Sequence, residues 1–508
     1  MEKAEGQKAG FLANIDEAFS PSGFYTEGPY YQRYAMYPFI AFAKALEDKR
    51  PELGIFEYKN GVLIKAVYAL LNLTDAEGDF FPLNDAQKGM SFYNQSVVIA
   101  VDAAYYYGDQ DPGLLSVAKT QGRVTLDEAG KAVSVALEEG KAMKFDKQSI
   151  NLSDGPEGKK GGVSVLRSPG GDNEFSLVYK YTSQGDSHGH YDKLSFSFYN
   201  DGEEVIQDYG FARFVNIEPK NGGGYLKENT TWAKQTIAHN TIVQNQTSHF
   251  NGDFDTGNKY HSEYYFSDFT DDSVQIISAK EDNAYPGTAM HRTMAILQNE
   301  IFDQPVVLDV FRISSETKNQ YDLPYYYFGQ LIDTNFYYKT PEELKKLGDK
   351  NGYQHLWMEA KAAAPAGNTR FTWSNNNKFY TLTQNLQQND SIILARIGAT
   401  DPEFNLRRDP VFISRKKDTK NAVFVSILEP HGSYNPVTEL GTNSFSKVKA
   451  VKVILNNDEY TGVEITLVGD QKISFFLSNQ DKSNSAKHNV KINEREFSWE
   501  GPYTIINK

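Results

Sequence analysis

Residues 185–193 read GDSHGHYDK and hold two of the nine histidines of a 508-residue chain. His188 and His190 stand one residue apart, with Asp186 before them and Asp192 and Lys193 after. Either they belong to a polar loop entering a strand, or they form half of a metal or catalytic site. Two further groups bear on the second reading. Asp208 follows His190 by 18 residues, and His239 follows it by 49, within TIAHNTIV. Two imidazoles and a carboxylate are a donor set that zinc accepts, with a fourth position left for water or another ligand. The alternative is an aspartate that ends a strand and a buried histidine satisfied by a backbone group.

The elements around these residues can be read from pattern. YDKLSFSFYN-DG-EEVIQDYG is a β-hairpin signal: Leu194, Phe196 and Phe198 alternate with Lys193, Ser195 and Ser197, and Asp201-Gly202 supplies the turn. His188 and His190 share the parity of Leu194 and Phe196, so a strand extended backwards would turn both imidazoles to the buried face. Ladder geometry alone does not assemble the donor set. It puts Asp208 opposite Leu194, about four residues or ~13 Å along the strand from His190, so the chain must bend near His190 for the site to close.

Residues 1–155 are predicted to be helical. FLANIDEAFS, YAMYPFIAFAKALEDK, NGVLIKAVYALLNLTD, NQSVVIAVDAAYYYGD and TLDEAGKAVSVALEEGKA repeat apolar residues at three and four. From about residue 160 the pattern becomes short β-branched or alternating runs between Asn, Asp and Gly turns, such as FSLVYKY, VVLDVFRI and KISFFLS. TPEELKKLGDK is the main exception and is predicted to be helical. Helices followed by strands imply an α+β multidomain chain, divided as 1–155 helical, 156–400 antiparallel sheet and 401–508 a C-terminal sheet region. The net charge of −14 excludes broad nucleic-acid or membrane-surface binding. It leaves room for an anionic substrate in a local basic cleft. Cysteine is absent, so there is no disulfide framework or thiolate chemistry, as fits an exported protein. No apolar run approaches a membrane span, and MEKAEGQKAG has no signal-peptide core.

Set in order, GFYTEGPYYQRYAMYPF, SHGHYDKLSFSFY, QDYGFARF, GGGYLKENTTWAKQTIAHNTIV and VVLDVFRI resemble the heparinase II/III-like polysaccharide lyases. Among them they are most similar to the exo-acting alginate lyases known as oligoalginate lyases. The resemblance implies a partial α/α toroid followed by stacked antiparallel sheets forming a β-sandwich. It implies that Tyr31 and Tyr225 are catalytic acid/base groups and that His188 is an active-site histidine near the substrate carboxylate. It places Arg33, with Tyr30 and Lys227, against substrate. It makes His190, Asp208 and His239 the ligands of one structural zinc ion, so that the two histidines of HGH have different tasks.

The implied reaction is β-elimination on an anionic uronate polysaccharide, exolytic and located in the periplasm or outside the cell. A base takes the C5 proton, the sugar carboxylate is neutralised, and an acid protonates the departing O4. Tyrosine, with an ordinary pKa near ~10, becomes a base only where cations favour phenolate, and Arg33 and His188 are expected to do this for Tyr31 or Tyr225. A heparinase-type lyase for another uronate glycan and a non-catalytic glycan-binding fragment are the alternatives. The sequence departs from the family in one respect: no Asn-His pair precedes Tyr31. The chain is therefore expected to lack the first part of the family's helical domain, to work with a separate N-terminal helical segment, and to be weakly active alone.

Overall fold

A computed structural model describes residues 10–168, 175–213 and 226–507. The chain divides into two compact units. The first contains the helices α1 (Phe11–Ala18), α2 (Pro29–Lys49), α3 (Tyr58–Asn72), α4 (Gln95–Tyr107), α5 (Pro112–Gln121) and α6 (Glu128–Glu138). In α2 the inward residues are Pro29, Gln32, Arg33, Met36, Ile40, Ala43 and Lys44, the three-and-four spacing of one buried face. They meet α3 and α4 through Ala66, Leu70, Val97 and Val101 in a single apolar core. The helix starts are set by side chains: Asn94, Asp111 and Asp127 accept hydrogen bonds from Ser96, Gly113 and Gly130 N–H. Helix α5 is absent from the sequence reading, although Asp111, Pro112 at its first position and a left-handed Gly122 after its end mark it.

The strands β1 (Ile150–Ser153), β2 (Gly162–Arg167), β3 (Phe175–Tyr181), β4 (Ser195–Asn200) and β5 (Glu203–Ile206) form a five-stranded meander in chain order. Every residue of β2, β3 and β4 is buried. One face packs Val163, Val165, Val178 and Tyr199 on Phe24, Ala69, Leu73 and Phe81 of the helical part. Arg167 on β2 donates to the carbonyls of Asn72 and Thr74 at 2.8 and 2.9 Å, capping the end of α3. The β4–β5 turn is the expected Asp201-Gly202, both left-handed at φ 55° and 77°.

The second unit is β-structure. Two long strands, Val306–Tyr326 and Pro410–Asn435, pair antiparallel at the centre of a 13-stranded sheet. A four-stranded sheet, including Val448–Asn456 and Lys472–Ser478, packs on it through Val310, Ile427, Val451 and Phe475. This is the expected α+β architecture with stacked antiparallel sheets. One expectation fails: TPEELKKLGDK is not helical, and its Lys345–Lys346 pair with Met358 and Trp357 as a short strand. Leu344 is exposed there, so no core face rewards a helix. No helix among the described residues is long and apolar enough to cross a membrane.

Candidate active site and metal centre

The HGH segment lies on a loop. His188 closes a 3-10 turn over Asp186–His188, and β4 begins only at Ser195. The parity expected from an extended strand therefore does not apply, and the bend needed near His190 is present. A β-carbon on Gly189 would lie 1.2 Å from the Gln184 carbonyl oxygen, so only glycine fits between the histidines. The loop is tied on several sides. Gln184 Nε2 donates to the His190 carbonyl at 3.0 Å, Lys234 Nζ to the Ser187 carbonyl at 2.7 Å, and Tyr191 N–H to the Lys234 carbonyl at 3.0 Å.

Beneath this loop sits Asp85, a residue the sequence reading did not single out. Its Oδ1 is 3.0 Å from His190 Nε2 and accepts from Asn229 Nδ2 at 2.9 Å. Its Oδ2 is 3.4 Å from His188 Nδ1 and 3.1 Å from Lys234 Nζ. Burial alone would raise this carboxyl, but the hydrogen bonds from His188 and His190 and the charge of Lys234 hold it well below the usual carboxylate range. Neighbouring Asn84 donates to the Glu27 carbonyl at 3.1 Å, fixing the loop against the start of α2.

Tyr31, on the first turn of α2, stacks on His188 with ring centroids 3.7 Å apart and planes at 19°. Burial, followed by the charge of Asp85 and the presence of Tyr30 and Glu27, pushes its phenol well above the ordinary tyrosine value. Of the two tyrosines for which a phenolate was expected, Tyr31 is therefore not the one favoured. The reason is the position of Arg33, which turns inward, donates toward Met90 Sδ at 3.1 Å, and places its guanidinium 4.7 and 4.2 Å from the rings of Tyr30 and Tyr34. Tyr30 is half-buried, packs edge-on to Tyr31 at 5.1 Å, and is pushed up to about 12, chiefly by burial. Lys227 is exposed. Tyr225 lies outside the described residues.

His190 and His239 are fully buried with ring centroids 5.1 Å apart. Each spends one nitrogen on an acceptor: His190 Nε2 on Asp85, and His239 Nε2 on the Ala233 carbonyl at 2.9 Å. Those nitrogens carry protons, so in the neutral ring each Nδ1 is a lone pair, and neither Nδ1 has a hydrogen-bond partner. Asp208 Oδ2 is 3.5 Å from His239 Nδ1, and Asp192 Oδ2 is 3.9 Å from it. The ligand atoms of His190, Asp192 and His239 all lie within 4.8 Å of one another.

Charge separates the two aspartates. Lys234 pairs with Asp85 and Lys180 with Asp192. Asp208 has no lysine or arginine partner among the described residues, and its Oδ1 is already taken by Gly210 N–H at 3.0 Å. Two donors each ~2.0–2.1 Å from a tetrahedral zinc stand roughly 3.4 Å apart, close to the 3.5 Å between His239 Nδ1 and Asp208 Oδ2. Two buried imidazoles with each Nε2–H held by a carboxylate or carbonyl, and carboxylates 3.5 and 3.9 Å from His239 Nδ1, are the donor chemistry of a zinc site with its supporting shell. The residues present therefore fit a zinc ion.

Residues 151–437 match the family model described as heparinase II/III-like, C-terminal. An exo-oligoalginate lyase of Saccharophagus degradans is 42% identical over 503 residues, covering 98% of this chain and 68% of that protein. An alginate lyase of Stenotrophomonas maltophilia is 39% identical over 502 residues, covering 99% and 67%. Among solved structures, a heparan sulfate lyase from Pedobacter heparinus superposes with a TM-score of 0.59 at 13% identity, covering 93% of this chain and 62% of that one. A heparinase III superposes with a TM-score of 0.62 at 11% identity, covering 92% and 62%. The chain thus spans about two thirds of the length of these curated relatives and somewhat less of the solved chains.

Proposed function

Because this chain belongs to the heparinase II/III-like family, we propose that it is a polysaccharide lyase that breaks alginate-type uronate chains by β-elimination, releasing unsaturated uronate from chain ends. The observation that carries this reading is the 42% identity to an exo-oligoalginate lyase across 98% of the chain. The heparin-type structures, at 11–13% identity, inform the fold alone.

The Tyr31–His188 stack suits the reaction. A phenol pushed up by burial and by Asp85 stays protonated at neutral pH, so Tyr31 is the proton donor to the departing O4. In β-D-mannuronate the C5 hydrogen and O4 lie on one face, so one tyrosine can serve both ends, with Tyr225, the second tyrosine implied by the resemblance, sharing the proton work. His188 stacks on Tyr31 with its side chain 28% exposed, and it is the group we place against the substrate carboxylate, whose charge must be offset before C5 can lose its proton. If bound, a zinc ion would be held by His190, Asp208 and His239 and would supply a fixed charge that steadies the HGH loop. A polymeric uronate substrate supports a location in the periplasm or outside the cell.

Incubation with oligomannuronate should raise absorbance near 235 nm as the conjugated double bond forms; an unchanged spectrum overturns the activity. Metal analysis should give about one zinc per chain, lost together with thermal stability in His239→Ala.

A further inference from the structure

The two histidines of HGH need opposite protonation patterns. To face the substrate carboxylate, His188 must be anchored through Nδ1, so that Nε2 is the nitrogen turned to the substrate. To bind metal, His190 must present Nδ1. An isolated loop has no means of enforcing opposite tautomers on two imidazoles one residue apart. We propose that Asp85 is the positioning residue that enforces both: its Oδ2 fixes the proton of His188 on Nδ1, and its Oδ1 fixes the proton of His190 on Nε2. This rests on the lyase reading only in the role given to His188.

The geometry is specific. Asp85 Oδ2 lies 3.4 Å from His188 Nδ1, and Oδ1 lies 3.0 Å from His190 Nε2. A carboxylate only accepts, so each facing ring nitrogen must be the donor. On the far side of His188, Nε2 is 3.7 Å from Glu27 Oε1, beyond hydrogen-bond reach, so no equally close acceptor competes for the opposite tautomer. On the far side of His190, Nδ1 has no hydrogen bond, and the ligand atoms of His190, Asp192 and His239 lie within 4.8 Å of one another.

Asp85 itself cannot swing away. Its backbone N–H donates to the His188 carbonyl at 3.0 Å, Asn229 Nδ2 donates to Oδ1, and Lys234 Nζ sits 3.1 Å from Oδ2. One carboxylate therefore joins the ring stacked on Tyr31 to a ring of the metal cluster. A disturbance at either ring is carried to the other through two hydrogen bonds.

The test is Asp85→Asn, nearly isosteric, whose amide has one accepting oxygen and one donating nitrogen. It can satisfy only one of the two rings in its present tautomer. In zinc-loaded protein labelled with nitrogen-15 histidine, the ring spectra of the wild type should show His188 protonated on Nδ1 and His190 on Nε2. In the variant one of the two should switch. Zinc affinity, measured by chelator competition, should fall by ~10–100-fold, and turnover should fall with little change in KM. Near-UV circular dichroism checks that the variant is folded.

Should D85N not fold, D85E is measured, because it keeps the charge but displaces both oxygens; the same loss of zinc affinity and altered ring spectra are expected. Unaltered tautomers with zinc affinity within about twofold of wild type overturn the proposal, as does a wild type that takes up no zinc. Neither readout involves a polysaccharide. Failure here leaves the lyase reading standing, and a wild type without lyase activity that still shows both shifts counts against that reading alone.

Discussion

Substituting Gly189 by alanine tests how tightly the fold holds the active loop. The added β-carbon would sit 1.2 Å from the Gln184 carbonyl oxygen and 3.2 Å from Gly185 Cα. An ordinary carbon–oxygen contact is ~3.3 Å, so loop and carbonyl must separate by roughly 2 Å. Gln184 cannot yield easily, because its own side chain donates to the His190 carbonyl. The displacement therefore passes to His188 and His190, the residues flanking the substitution. A misplacement of about 1 Å at a reacting group costs on the order of 10²-fold in rate. G189A is expected to lose at least that much turnover on oligomannuronate, followed at 235 nm, and to bind less zinc while keeping its β-sheet circular dichroism. Gly441→Ala is the control, since its nearest neighbour would be 3.7 Å away. Near-wild-type turnover and zinc content in folded G189A would show that the loop geometry does not position the histidines.

Tyr31→Phe removes only the phenolic oxygen and should cost about 10²–10⁴ in turnover with an unchanged melting temperature; comparable turnover would make Tyr31 a packing residue. In the second unit Arg292 is fully buried and grips Asp309 through Nε and Nη2 at 2.9 and 2.7 Å. Arg292→Met should lose about 3–5 kcal/mol in chemical denaturation, and a change below ~1 kcal/mol would refute the role. Lys147 is pushed down to about 7, first by burial and then by Arg167, whereas an unfolded lysine holds its proton to ~10.4. Between those values the unfolded state binds more protons, so this group makes stability rise with pH. Lys147→Met should therefore melt higher than wild type at pH 7 and lose that advantage toward pH 9.5; a constant difference would contradict the assignment.

Much of the fold was legible because its signals are local. The helices α2, α3 and α4 repeat their apolar residues at three and four, and Asp201-Gly202 announces the β4–β5 turn. Helix α5 was missed because its ten residues carry a short apolar face. TPEELKKLGDK was misread because charge spacing can mimic a helix when nothing packs on it. The site divides in the same way. HGH, Asp208, His239 and Tyr31 stand out by residue type and motif. Asp85 does not: it is a single aspartate in PLNDAQ, 103 residues before His188, and only the folded chain brings it beneath both rings. Arg33 is set against substrate by the family resemblance alone, and its side-chain direction was not legible in the sequence. On a helix two residues apart means nearly opposite faces, and Arg33 is on the buried one.

β-elimination and hydrolysis differ in whether water enters the product. Digestion of oligomannuronate in oxygen-18 water, with products read by mass spectrometry, tests the proposed activity most directly. The account predicts an unsaturated monouronate 18 Da lighter than the hydrolysis product, without oxygen-18 incorporated at the cleaved bond. A saturated uronate carrying one oxygen-18, or an unchanged substrate, would contradict it.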